Sequence, residues 1–213
     1  MKLYSNPVSP FGARITIAQR AKGITIAQIA SPGDSLKSPE FLKMNPVGKI
    51  PVLVTESGNV IPESEAILNY LEDRFPTPSL RPTDPEQRAR VNVAIRMMDT
   101  YVMAPVIRLF PHLDPAQRDA RTVEQEIMRW KDGLSALAHF MATPLPEVKG
   151  DVSLADCILP PSLQLSSVIA TMFGLGDLTK PHNALVVYYA RMSKHPIVGQ
   201  VLDELTAAQA AYH

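Results

Sequence analysis

Four prolines, Pro76, Pro78, Pro82 and Pro85, crowd into residues 76–85. Each lacks the amide proton that helix and sheet ladders need and fixes its own φ, so this stretch can be neither helix nor central strand. It divides the chain. The expected organisation is a first domain over residues 1–76, a linker over 77–85 and a second domain over 86–213. With 213 residues, 46% apolar and 20% charged, the chain is long enough for one large or two small domains and too apolar for extended disorder.

On the amino-terminal side of the break, short segments alternate. Lys2–Ser5 reads as a strand, Pro10–Lys22 as a helix with Phe11, Ile15 and Ala18 on one face, and Thr25–Ala30 as a second strand. Ser38–Met44 reads as a short helix, Pro51–Thr55 and Asn59–Ile61 as strands turning at Ser57-Gly58-Asn59, and Ser64–Arg74 as a helix burying Ile67, Tyr70, Leu71 and Phe75. The order βαβ then ββα predicts a small mixed α/β sheet with helices on its faces. Beyond the break the period is helical throughout. Asp84-Pro85 and Asp114-Pro115 each pair an N-cap acid with proline at the first helical position, and two long helices are expected to follow. The first carries Val91, Ile95, Met98, Tyr101, Val102 and Leu109, with a kink at Pro105; the second carries Val123, Ile127, Trp130, Leu134, Leu137 and Met141. Ser153 and Asp156 form a capping-box pattern whose helix Pro160-Pro161 should bend or interrupt, and Pro181–Met192 and Pro196–Ala207 complete an all-α domain.

Charge and motif content narrow the function. Residues before Pro78 hold 8 basic and 7 acidic side chains and the rest hold 13 and 14, so neither half has the basic excess of a nucleic-acid or membrane-surface binder, and a small ligand is expected. No apolar run approaches the roughly 20 residues of a membrane span, and Met1–Pro10 has no signal-peptide core, which gives a cytoplasmic expectation. Cys157 is the single cysteine, so internal disulfides, Cys-x-x-Cys pairs and thiolate-rich metal sites are excluded. Neither a Gly-rich phosphate loop nor a Gly-x-Ser-x-Gly elbow occurs, and His112, His139, His182, His195 and His213 lie too far apart for a local metal motif. The polar residues concentrate at the strand ends of the first domain. There Ser9 precedes Pro10 at the start of a helix, and the local pattern serves a plain helix cap as well as a catalytic hydroxyl.

Three linked stretches carry a resemblance. Tyr4-Ser5-Asn6-Pro7-Val8-Ser9-Pro10-Phe11-Gly12-Ala13-Arg14-Ile15, then Leu36 to Leu53 with Asn45-Pro46-Val47-Gly48-Lys49-Ile50-Pro51 at its centre, then Ile61-Pro62-Glu63-Ser64-Glu65-Ala66-Ile67, resemble in order the first domain of the cytosolic glutathione S-transferases. Gly150 to Asp156 is similar to the start of that family's central helix. The resemblance implies a thioredoxin-like glutathione-binding domain followed by an all-helical domain, usually as a homodimer, with glutathione as co-substrate and no metal or nucleotide.

It also implies site residues. Pro51 matches the family's cis-proline, with Ile50 pairing its backbone to the cysteinyl unit of glutathione as an added strand does. Glu63 and Ser64 match the positions that take the γ-glutamyl ammonium and carboxylate, Lys37 and Lys49 those that hold the glycyl carboxylate, and Phe11 lies beside the tripeptide. Ser9 matches the position that is Ser, Cys or Tyr by class, and its Ser-Pro-Phe context is most similar to the serine-using, bacterial-like members. Serine there disfavours the cysteine classes that reduce mixed disulfides, and the absence of a Ser-Ser-Cys stretch disfavours the maleylacetoacetate isomerase type. Val8, Met98, Tyr101, Val102 and Pro105 are the candidates for an electrophile pocket, although such a stripe suits a helical core as well. The expected activity is transfer of glutathione to an electrophilic apolar substrate. The alternatives are glutathione-dependent peroxide reduction and a non-catalytic binding or assembly module on the same fold.

Overall fold

A computed structural model of the chain describes residues 1–33 and 35–211. The first element is the strand β1 (Lys2–Tyr4), followed by helix α1 (Pro10–Ala21) and strand β2 (Ala27–Ile29), which pairs parallel to β1. Helix α2 (Pro39–Met44) leads to β3 (Val52–Val54) and β4 (Val60–Pro62), an antiparallel pair whose turn lies at Glu56–Ser57, one residue or two before the expected place, and α3 (Ser64–Arg74) ends the unit. The sheet order is β2-β1-β3-β4, with β3 antiparallel to β1. Each predicted element of this half is present; the first three strands are shorter than expected by a residue or two at their ends, and the fourth, expected over Asn59–Ile61, is shifted by one to Val60–Pro62. Ser9 and Ser38 cap α1 and α2, accepting from the amides of Gly12 and Phe41, each ahead of a helix-opening proline.

The proline-rich segment is pinned rather than loose. Lys22, 6% exposed, donates to the carbonyls of Phe75 (2.7 Å) and Pro78 (2.9 Å) and meets Glu72 at 2.6 Å. Glu72 in turn accepts from the Leu80 amide through both carboxylate oxygens. Three ammonium donors therefore find three acceptors, the condition under which a charge tolerates burial.

In the second half, α4 (Pro85–Met97) gives way to one wide, π-helical turn over Met98–Met103 before α5 (Ala104–Arg108). This is the expected disturbance from Pro105, displaced toward the amino end. Proline has no amide for the Tyr101 carbonyl four residues back. That carbonyl sits where a side chain on Gly133 would be, since a Cβ at Gly133 would lie 2.0 Å from it. The second long helix departs from expectation. Asp114-Pro115 opens only a short 3-10 turn, because the Asp114 carboxylate bonds to the Ala116 amide two residues on, and α6 (Ala120–Phe140) starts from a second cap, Asp119.

Helix α7 (Leu154–Met172) starts from the predicted capping box and runs on through Pro160 and Pro161 without interruption. Each interior proline costs about 3 kcal/mol. Leu154, Ile158, Leu159, Leu163, Leu165 and Ile169 are all buried, at roughly 1.5 to 3 kcal/mol each, and that burial outweighs the cost. Helices α8 (Asn183–Ser193) and α9 (Pro196–Ala211) close the chain. One hydrophobic core extends from Leu3 and Ile67 through Trp130 and Leu159 to Leu205, joining both halves. No described helix is long and apolar enough to cross a membrane.

Candidate active site

Strand register decides which loops meet. Tyr4 at the end of β1 stands opposite Val52 at the start of β3, Val52 opposite Pro62 at the end of β4, and Ile29 at the end of β2 beside Tyr4. The segments carrying Ser9, Ile50-Pro51, Glu63-Ser64 and Lys37 therefore all leave the sheet at one end.

At that end Ser9 is half-buried at the N-terminus of α1. Its Oγ accepts from the Gly12 amide at 3.3 Å, and among the described residues no acceptor takes the hydroxyl proton. The Ile50–Pro51 bond is cis, and among the described residues Ile50 has no backbone hydrogen-bond partner for its N–H or C=O. The loop before it is organised by Asn45, 2% exposed, whose side chain donates to the Lys49 carbonyl (2.8 Å) and accepts from the Val47 amide (3.2 Å). Lys37 and Lys49 are exposed, and Lys37 reaches the Val47 carbonyl at 3.2 Å. Glu63 is exposed with φ 69° and ψ 120°, a region non-glycine residues avoid, and it presents Ser64 as the first residue of α3. Backbone held in such a region is found where surrounding structure fixes a functional geometry.

A buried guanidinium ties this end to the helical domain. Arg14, 1% exposed on α1, donates to Ser64 Oγ (3.1 Å), to both carboxylate oxygens of Asp99 (3.0 and 2.7 Å) and to Ser162 Oγ (2.7 Å), and its guanidinium lies 4.4 Å from the Phe11 ring centre. Bidentate pairing of this kind fixes both partners in one plane. The wide turn places Asp99 there.

Residues 3–79 match the model of the glutathione S-transferase N-terminal domain. Over the full length, a glutathione S-transferase of Pseudomonas putida is 30% identical across 218 residues, covering 100% of this chain and 96% of that one. The chain belongs to the glutathione S-transferase family. A maleylacetoacetate isomerase of Pseudomonas aeruginosa is also 30% identical over 175 residues, 76% of this chain and 80% of its own. A sphingomonad glutathione S-transferase solved in complex with glutathione superposes with a TM-score of 0.76 at 25% identity, covering 97% of this chain and 99% of that one. The four-stranded sheet with its three helices is accordingly the thioredoxin-like domain of a glutathione S-transferase, and α4 to α9 are its helical domain.

Within this glutathione S-transferase the candidate electrophile residues separate. Met98 and Val102 have no exposed surface and Pro105 is buried, so they are placed in the core between α4, α6 and α7 and line no surface. Their stripe faces inward because the wide turn continues the buried face of α4. Tyr101 is 54% exposed and Val8 half-buried, and both can touch a ligand. Cys157 is fully buried, and burial pushes its thiol well above the ordinary range, which suits packing rather than chemistry. Among the described residues no three His, Cys, Asp or Glu side chains stand together as a metal site; His213 lies outside them. Arg14, Asp99 and Asn45 escaped the sequence reading. Arg14 was legible as a charge set among Ile15, Ile17 and Ala18, a pattern that demands a buried partner.

Proposed function

We propose that the chain binds glutathione at the shared sheet end and holds its sulfur as a thiolate through Ser9, for transfer to an electrophilic apolar substrate. The observation that carries this reading is the Ser9 hydroxyl, which accepts from α1 while keeping its own proton. A hydroxyl can do both at once, so capping and thiolate donation do not compete. A free thiol of pKa about 8.5 is only a few per cent ionised at neutral pH. A charged hydrogen bond supplies about 1.5 to 3 kcal/mol and a helix N-terminus about 0.3 to 1, enough to lower that value by one to two units. The thiol proton leaves to solvent, the sulfur bonds to the electrophilic carbon, and the leaving group departs with its electron pair.

The same reading assigns the other contacts. Ile50 offers both backbone groups to an extended peptide, Ser64 and the first amides of α3 suit the γ-glutamyl carboxylate, Glu63 its ammonium, and Lys37 and Lys49 the glycyl carboxylate. Val8 and Tyr101, the two candidates that keep exposed surface, are assigned to the acceptor side. We further assign a homodimer and a cytoplasmic location; sedimentation as a monomer at micromolar concentration would reject the first.

Ser9→Ala tests the mechanism. Turnover of an aryl halide with glutathione should fall roughly 10- to 150-fold at neutral pH, with binding little changed, and raising the pH should restore part of the rate. Full activity in Ser9→Ala, with loss in Ser5→Ala, would overturn the assignment. The isomerase relative favours a second reading, in which the same thiolate adds to a double bond and leaves again after rotation. Assaying maleylacetoacetate beside aryl halides, organic peroxides and β-aryl ethers separates the two.

A further inference from the structure

The turn that delivers Ser9 is held almost wholly by itself. Ser9 donates its amide to the Asn6 carbonyl at 2.9 Å, closing a β-turn with Pro7 and Val8 at its centre, and the Val8 amide meets Asn6 Oδ1 at 3.0 Å. The Ser9 carbonyl and Oγ then take the Ala13 and Gly12 amides at the start of α1. Among the described residues, one hydrogen bond ties residues 6–9 to the chain beyond α1: Gln209 Nε2 donates to the Val8 carbonyl at 3.2 Å, across 201 positions of sequence. We propose that Gln209 is a positioning residue for the reaction, holding the Ser9 hydroxyl in place through the Val8–Ser9 peptide. This rests on the reading of Ser9 as the donor to the thiolate.

The Val8 carbonyl and the Ser9 amide are the two ends of one planar peptide unit. Asn6 holds its N–H and Gln209 its C=O, so the unit is clamped from both sides. Without Gln209 the carbonyl of half-buried Val8 has no partner and turns toward water. Because the unit is planar, the Ser9 amide then turns off Asn6, and the bond that closes the turn is lost with it. Ser9 would be left to the first bonds of α1, of which the Oγ bond, at 3.3 Å, is longer than usual. Gln209 itself has a firm seat. Val198, Val201, Leu202 and Leu205 are buried along one face of α9, and Gln209 follows Leu205 by four positions, extending that face to the turn. Helix α9 packs on α1, where Arg20 and Glu204 pair at 2.7 Å. A carbonyl only accepts, so the Gln209 amide can present only its nitrogen to Val8. The first domain thus supplies the hydroxyl and the helical domain holds its direction.

Gln209→Met keeps the reach of the side chain and removes the donor. In the full chain saturated with glutathione, the ultraviolet thiolate band of this variant should titrate about 0.5 to 1 pH unit higher than in wild type. Turnover of an aryl halide at neutral pH should fall about three- to tenfold, with the KM for glutathione within about twofold of wild type. In the Ser9→Ala background the same substitution should move the titration by less than about 0.2 pH unit, since no hydroxyl is left to hold. Glu204→Gln breaks the pair between α9 and α1 without touching Val8, and should titrate as wild type. A wild-type titration in Gln209→Met beside an impaired Ser9→Ala would overturn the proposal and leave the Ser9 reading standing. An equal shift in Glu204→Gln, or an undiminished shift in the Ser9→Ala background, would overturn it by showing an effect that does not pass through the Val8–Ser9 peptide. An unimpaired Ser9→Ala would overturn both.

Discussion

Asp99→Ala takes the carboxylate away from a guanidinium that is 1% exposed and leaves it only the hydroxyls of Ser64 and Ser162. Two charge-assisted hydrogen bonds, at 3.0 and 2.7 Å, are lost together. Removing one partner of a fully buried pair costs about 3 to 5 kcal/mol, because the remaining charge stays desolvated. Here the Asp99 side chain is 24% exposed, so water can enter where it stood, and a loss of about 2 to 3 kcal/mol is expected. For a chain of this length that lowers Tm by roughly 5 to 10 °C. The pair bridges α1 of the first domain and the wide turn of the second, so the loss should appear in the single urea transition rather than as local fraying. Arg14→Met in the Asp99→Ala background removes the stranded charge and should recover at least half of the loss. Glutathione affinity, measured by calorimetry on the same proteins, should fall with Asp99→Ala, since Arg14 also orients Ser64. An Asp99→Ala protein within about 0.5 kcal/mol of wild type, or a double variant whose losses simply add, would refute the claim that a buried charge pair locks the two domains.

Two further outcomes follow. Gly133→Ala would place a methyl 2.0 Å from the Tyr101 carbonyl oxygen and 2.5 Å from its carbon, backbone atoms that cannot swing aside, and urea unfolding should show a loss of about 2 to 3 kcal/mol; near-neutral stability would mean the wide turn is not seated on α6. Alkaline pH should also weaken the fold. Burial, with the Asp156 charge adding to it, pushes both the Cys157 thiol and the Tyr188 phenol well above their ordinary values. Unfolded, they titrate near about 8.5 and 10, so above those values the unfolded chain holds fewer protons and stability falls as pH rises. Cys157→Ala should flatten the decline between about pH 8.5 and 10 and lessen the decline above it, where Tyr188 still contributes; identical slopes in both proteins would exclude the thiol.

How far the fold could be read from the residues depends on whether the signal is local. The Pro10 and Pro85 helix starts, each behind a Ser or Asp cap, act through neighbouring amides and were legible to the residue, and the Pro39 start, behind Ser38, to within one. Asp114-Pro115 carries the same signal and failed, because the stronger cap at Asp119 lay only five positions downstream. The uninterrupted course of α7 through two prolines was illegible for the opposite reason, since the compensation comes from burial against other helices. The site divides the same way. Ser9, Ile50, Glu63 and Ser64 stand in contiguous motifs, whereas the Arg14–Asp99 contact spans 85 positions and depends on a turn that no local pattern announces. Met98 and Val102 show the limit of a helical stripe, which marks a face without saying whether that face meets a ligand or the core.

The Lys22 ammonium sets where the first domain can be severed. Its three acceptors come from Glu72, Phe75 and Pro78, and Glu72 in turn needs the amide of Leu80. A fragment ending at residue 76, the border the prolines suggest, would keep the lysine inside but remove one of its acceptors and both bonds from Leu80. The unit that can be exchanged between related proteins therefore extends through Leu80, and a chimera joined upstream of it would inherit an internal cation with its shell incomplete.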